Sequence, residues 1–100
     1  VLAMPVYWYS IPAQIKCVID KLYSLCVGER HYQGKKCGII SCCEENDVTV
    51  MDGVRMPIEG SCALLKWEVV GEVLVPGVLK AGEVKKTDGE KQAAELAKKF

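Results

Sequence analysis

The sequence predicts an α/β domain whose strands run parallel. Two observations carry this. Short apolar runs suited to buried strands occur three times, at Val1 to Val6, Cys37 to Cys42 and Glu68 to Val75. Each is followed by a segment with apolar residues at helical spacing. Strand, helix, strand, helix, strand, helix means parallel strands joined by right-handed crossovers. A chain of 100 residues holds one domain at most.

The first run, "VLAMPV", ends in the turn Tyr7 to Ile11. Ser10 is the expected N-cap of the first helix, and Pro12 falls in the first turn, where its missing N–H costs nothing. Ile15, Val18, Ile19, Leu22 and Cys26 recur at helical spacing, so they form the buried face, and the helix should stop near Gly28. The polar loop "GERHYQGKK" leads to the second strand, "CGIISC", apolar throughout as a strand covered on both faces should be. Val54, Ile58, Cys62 and Leu65 then share one helix face. Pro57 and Gly60 interrupt that pattern, which predicts a kink or a start as late as Pro57. The third strand is "EVVGEVLV". "PGVLKAGEVKK" reads as a loop, and Thr87 with Glu90 forms a capping box. The last helix turns Ala93, Leu96, Ala97 and Phe100 inward.

Composition excludes several functions. Thirteen basic residues balance thirteen acidic ones, so no net field draws nucleic acid, and the pairs Lys35-Lys36, Lys85-Lys86 and Lys98-Lys99 are scattered. No apolar run nears the roughly 18 residues of a membrane span, and no signal-peptide pattern is visible. The six cysteines lie at irregular spacing inside apolar runs, which indicates reduced thiols and a cytoplasmic setting rather than a disulfide scaffold. Residue 1 is Val and sits inside a strand-like run, so the chain is expected to be a piece of something longer, a single partial domain over residues 1–100.

Ligands of open parallel sheets bind beyond the carboxyl ends of the strands. Two expected turns lie there, Pro5 to Ile11 and Ser41 to Glu45. The first carries Tyr7, Trp8 and Tyr9 in a row, where turns ordinarily carry small polar residues. Aromatics at that position either cover the sheet end, face a partner, or lie against a flat ligand. Cys42 and Cys43 follow the second strand, but no basic neighbour would lower a thiol pKa, so they read as small turn residues. Glu44, Glu45 and Asp47 read as solvated, His31 as a surface residue and Trp67 as core. No C-x-x-C and no Gly-rich phosphate motif occurs, no metal is expected, and no side chain is an obvious general acid or base.

The stretch "PVYWYSIPAQIKCVIDKLY" resembles the third-strand turn of the flavodoxin-like NAD(P)H-dependent FMN reductases, whose pattern runs Pro-x-Tyr-x-x-x-x-x-Ala-Gln-x-Lys and then Ile-Asp-Arg; Lys21 replaces the usual Arg. "GKKCGIISCCEEND" is similar to their fourth strand and flavin-side turn. "WEVVGEVLVPGVLKAGEVKKTDGEKQAAELAKKF" is similar to their fifth strand, long loop and closing helix. The resemblance implies a flavodoxin-like three-layer sandwich, represented here by its 3-4-5 half with three helices. It implies FMN as cofactor and NAD(P)H as co-substrate. The turn Pro5, Val6, Tyr7, Trp8, Tyr9, Ser10 and Ile11, with Ser41, Cys42 and Cys43, would wrap the flavin ring, with backbone groups of Val6 to Ile11 on ring and ribityl atoms.

The family's first strand and its phosphate-holding loop have no counterpart in this sequence. FMN binding by these residues alone is therefore expected to be weak or absent. The missing neighbour leaves an apolar strand edge at Val1 to Val6, and such edges recruit other strands, so a homo-oligomer is expected. The alternative is a non-catalytic half-domain that acts through assembly.

Overall fold

Three parallel strands form one sheet in the order β1-β2-β3, with β1 at Leu2–Pro5, β2 at Lys36–Cys42 and β3 at Glu68–Val75. The structure is a computed structural model and describes residues 1–28 and 31–100. Among these residues the helices are α1 (Ala13–Lys21), α2 (Tyr23–Val27), α3 (Asp52–Leu65) and α4 (Gly89–Ala97), with 3₁₀ turns at Val48–Met51 and Glu83–Lys86. Helices lie on both faces of the sheet. This is the parallel α/β arrangement that the alternating pattern predicts, in small form.

The two faces are covered unequally. On the first, Met4, Cys37 and Ile39 of the sheet pack with Val54, Ile58 and Cys62 of α3, while Ile15 and Ile19 of α1 close the side. Ile39, Val54 and Ile58 are almost completely buried, each contributing roughly 1.5–3 kcal/mol of transfer free energy. On the second face, Val73 and Val75 pack with Leu96 of α4, and Ile40, Cys42 and Val84 flank them. The close seat of α4 depends on glycine. A side chain at Gly38 would press on the Phe100 ring and Leu96, and one at Gly71 would press on Leu96.

Several expectations need correction. The first strand loses Val1 and Val6, and the second gains Lys36. Ser10 is not an N-cap: Pro12 holds that position without a side-chain cap, and Ser10 is engaged in the preceding turn. The first helix is broken at Leu22 into α1 and α2, giving four α-helices among the described residues rather than three. Val18 is 49% exposed, because α1 presses only Ile15 and Ile19 against the core. Helix α3 begins at Asp52 and runs through Pro57. The burial of Val54, Ile58, Cys62 and Leu65 outweighs the one hydrogen bond that proline forgoes. The capping box does not form: Asp88 is the N-cap of α4 without a side-chain cap, the Thr87 hydroxyl accepts from Gly89 N–H at 3.1 Å, and Thr87 N–H donates to Val84 C=O rather than to Glu90. Ala97 is exposed, and Phe100 is half-exposed with its ring over Gly38.

Other expectations hold. Strand β3 spans Glu68–Val75, and His31 is exposed. Trp67 packs on the first-face core and donates its indole N–H to the Tyr32 carbonyl. Of the loop that links α2 to β2, Glu29 and Arg30 lie outside the described residues.

Candidate functional site

Beyond the carboxyl end of β1 the chain makes a two-residue reverse turn. Tyr7 N–H donates to Ser10 C=O at 3.1 Å, and Ser10 N–H returns to Tyr7 C=O at 3.0 Å. The central residues Trp8 and Tyr9 have φ of 52° and 61°. Positive φ at both central positions is type I′ geometry, which strongly favours Asn-Gly. An L side chain with a Cβ carries a penalty of roughly 1–2 kcal/mol per residue there. Burial does not offset this at Trp8, which is 95% exposed. The sequence thus places its largest side chain in a strained position and hands it to solvent.

The turn is braced from behind. A side chain on Gly53, in the first turn of α3, would overlap the Tyr9 carbonyl oxygen. Glycine there lets the turn lie directly on the helix backbone.

In front of the turn is a cleft of about 350 Å³ lined by Val6, Trp8, Tyr9, Glu44, Glu45 and Val50. Its second wall, the loop after β2, is held by main-chain bonds to the exit of β3. Cys43 N–H donates to Val75 C=O, Val78 N–H to Cys43 C=O and Gly77 N–H to Glu45 C=O. Asp47 then caps the 3₁₀ turn by accepting from Thr49 N–H at 2.9 Å and from the Thr49 hydroxyl at 2.8 Å. Those two bonds, the backbone one first, hold its carboxyl below the usual carboxylate range.

The structure brings together part of the expected site. Val6, Trp8 and Tyr9 line the cleft; Tyr7, Ser10 and Ile11 belong to the same turn but do not line it. Pro5 and Cys42 border a different cavity, on the second face. Ser41 is 1% exposed, and its hydroxyl has no partner among the described residues. Cys43 is buried and donates its thiol to Glu45 C=O; burial, then the Glu45 carboxylate, pushes that thiol pKa up. It is thus a poor nucleophile. Glu44, Glu45 and Val50 are the lining residues that sequence reasoning missed, although it placed the Ser41 to Glu45 turn, which holds the two glutamates, at a strand's carboxyl end.

The chemistry of the lining is specific. Aromatic faces and two valines suit a flat, largely apolar ring, and the volume is at the lower end of the ~300–1,000 Å³ usual for ligand pockets. Val6, Tyr7 and Ser10 have spent their N–H groups on Cys42, Ser10 and Tyr7 carbonyls. The N–H groups of Trp8, Tyr9 and Ile11 have no partner among the described residues. The charged residues of the lining are both carboxylates, so the cleft does not suit a phosphate. Among the described residues no group of three or more His, Cys, Asp or Glu is placed to hold a metal ion.

The second cavity is an apolar groove of about 430 Å³ between β1, β2 and α4, floored by Ala3, Pro5, Ile40 and Cys42 and walled by Val84 and Ala93.

Fold and site together define a small α/β domain with a three-stranded parallel sheet, helices on both faces, and a ligand-sized cleft beyond the carboxyl ends of its strands. No protein-family model, curated protein or solved structure matches the chain. Among the described residues no helix is long and apolar enough to cross a membrane.

Proposed function

We propose that this chain is the carboxyl-terminal, 3-4-5 half of a flavodoxin-like, FMN-dependent NAD(P)H oxidoreductase, and that the cleft at the aromatic turn takes the flavin ring. The observation that carries the reading is the strained, solvent-presented pair Trp8 and Tyr9 at a strand's carboxyl end. Backbone strain concentrates at functional sites, where ligand contact rather than folding makes use of it. When bound, FMN supplies the redox chemistry, taking hydride from NAD(P)H and passing electrons to an acceptor. The residues of this chain orient and shield it. Trp8 and Tyr9 offer an aromatic wall and unpaired backbone N–H groups for ring acceptors, and Val6 and Val50 exclude water. Glu44 and Glu45 repel phosphate, so the phosphate must be held by residues outside this half.

Titration with FMN to low-millimolar concentration, followed by backbone amide NMR, tests this. Shifts should centre on Val6, Trp8, Tyr9, Glu44, Glu45 and Val50, with weak affinity. Saturable shifts centred on other amides would count against the ring site. Tight stoichiometric binding by the isolated monomer would refute the half-site.

A second reading is favoured by the uncharged β1 edge and the adjoining groove: a non-catalytic half-domain that acts through assembly.

A further inference from the structure

The cleft at the aromatic turn has walls of two kinds. One is aromatic: Trp8, 95% exposed, leaves its indole open to whatever enters, and Tyr9 stands beside it. The other is acidic: Glu44 and Glu45 line it, and Asp47 follows in the same loop. No Lys, Arg or His is in the lining. The Asp47 carboxylate is taken up by Thr49. Among the described residues those of Glu44 and Glu45 enter no ion pair.

Each wall alone is ordinary; the two together define a class of ligand. The face of an aromatic ring attracts a cation through its quadrupole. Carboxylates attract the same cation by charge and repel an anion, and the attraction is stronger beside the apolar surface of Val6 and Val50 than in open water. The formal net charge of the chain is zero, so this preference belongs to the cleft and not to a field of the whole molecule.

We propose that Glu44 and Glu45 set the specificity of this cleft, making it select flat aromatic rings that carry a positive charge over the same rings in neutral or anionic form. The inference rests on the reading of the cleft as a ring site. In the proposed reaction the ring of this class is the nicotinamide that meets the flavin there. It arrives as the uncharged dihydro form, gives its hydride to the flavin, and is left as a pyridinium cation. Two carboxylates at the cleft favour the positive charge that develops as the hydride leaves, and so act more strongly on the transition state than on the incoming ring.

Three probes of one shape test it: the N-methylnicotinamide cation, neutral nicotinamide and the nicotinate anion, each titrated into the 100-residue chain and followed by backbone amide NMR. Shifts should centre on Val6, Trp8, Tyr9, Glu44, Glu45 and Val50. The cation should bind about fivefold or more tightly than nicotinamide, with nicotinate weakest, and added salt should narrow the gap. The double variant Glu44→Gln with Glu45→Gln keeps the shape of both exposed side chains and should bind cation and neutral ring alike; its circular dichroism should match the parent. Equal binding of cation and neutral ring by the parent overturns the inference. So does a preference that survives in the double variant, or a failure of all three probes to shift the cleft. Lumiflavin, an uncharged flavin ring without phosphate, separates the two readings. Lumiflavin shifts at the cleft without a charge order among the probes sink the specificity and leave the flavin site, whereas a charge order without lumiflavin shifts does the reverse.

Discussion

Replacing Trp8 with Asn should make the protein more stable and its cleft worse. At φ 52° tryptophan carries about 1 kcal/mol of left-handed strain that asparagine, at home in the first central position of a type I′ turn, largely avoids. The indole is 95% exposed, so the substitution re-exposes only some 10 Å² of side chain, about 0.3 kcal/mol at the usual coefficient. The balance is a gain near 0.7 kcal/mol, which for a domain of this size raises Tm by about 3–5 °C. The assay is thermal unfolding by circular dichroism, paired with the FMN titration above, in which the shifts should shrink. A fall in Tm of more than about 4 °C would refute the reasoning, because Trp8 would then be a packing residue and its exposure misread. Unchanged FMN shifts would remove the indole from the ring site without touching the stability argument.

Gly53→Ala should destabilise by about 1–3 kcal/mol through the Tyr9 carbonyl, despite the better helix propensity of alanine; denaturant unfolding measures it. Ser41→Ala removes a buried hydroxyl with no partner among the described residues and should be neutral or stabilising by up to ~1 kcal/mol; a clear loss in the same assay would mean that the hydroxyl is satisfied. Toward alkaline pH the Cys62 thiol, pushed up to about 12 by burial and then by Cys37, stays protonated in the fold while an unfolded thiol ionises near 9. Its contribution is therefore complete below pH 9 and lost as pH rises from there toward 12, so Cys62→Ala should flatten that limb of the stability profile. Toward acid the signs reverse. Asp47 and Glu83 are held low by backbone N–H groups, so what they contribute is present at neutral pH and lost as pH falls through their lowered values; Asp47→Asn should show the smaller acid sensitivity in urea melts.

The sheet was legible because its strands are apolar runs with nothing helical in their spacing, and Glu68–Val75 matches to the residue. Helix α3 was legible on its buried face, since Val54, Ile58, Cys62 and Leu65 all went inside. Its start was not, because Pro57 is a local signal and the burial that overrides it is tertiary. Val18 misled for a related reason: periodicity names a face but not how much of that face finds a partner. The aromatic turn was conspicuous as composition, whereas its type I′ backbone was hidden, because Trp-Tyr is among the last pairs turn chemistry would suggest. Ser10 looked like a cap because a serine before a proline and a helix usually is one; here its backbone closes the turn. The acidic wall of the cleft went unread because three carboxylates in a loop are ordinarily solvated, and the main-chain bonds that tie Cys43 and Glu45 to the β3 exit are tertiary.

The two tryptophans stand in opposite surroundings. Trp8 is presented to water on the turn, while Trp67 packs on the core with its indole N–H on the Tyr32 carbonyl. Their emission should therefore separate by colour, red for the first and blue for the second. Quenching by a soluble agent should reach Trp8 first. Loss of the red component alone then signals occupancy of the cleft, and a red shift of the blue component signals loss of the fold. The molecule carries two optical reporters, one for each question, without any label.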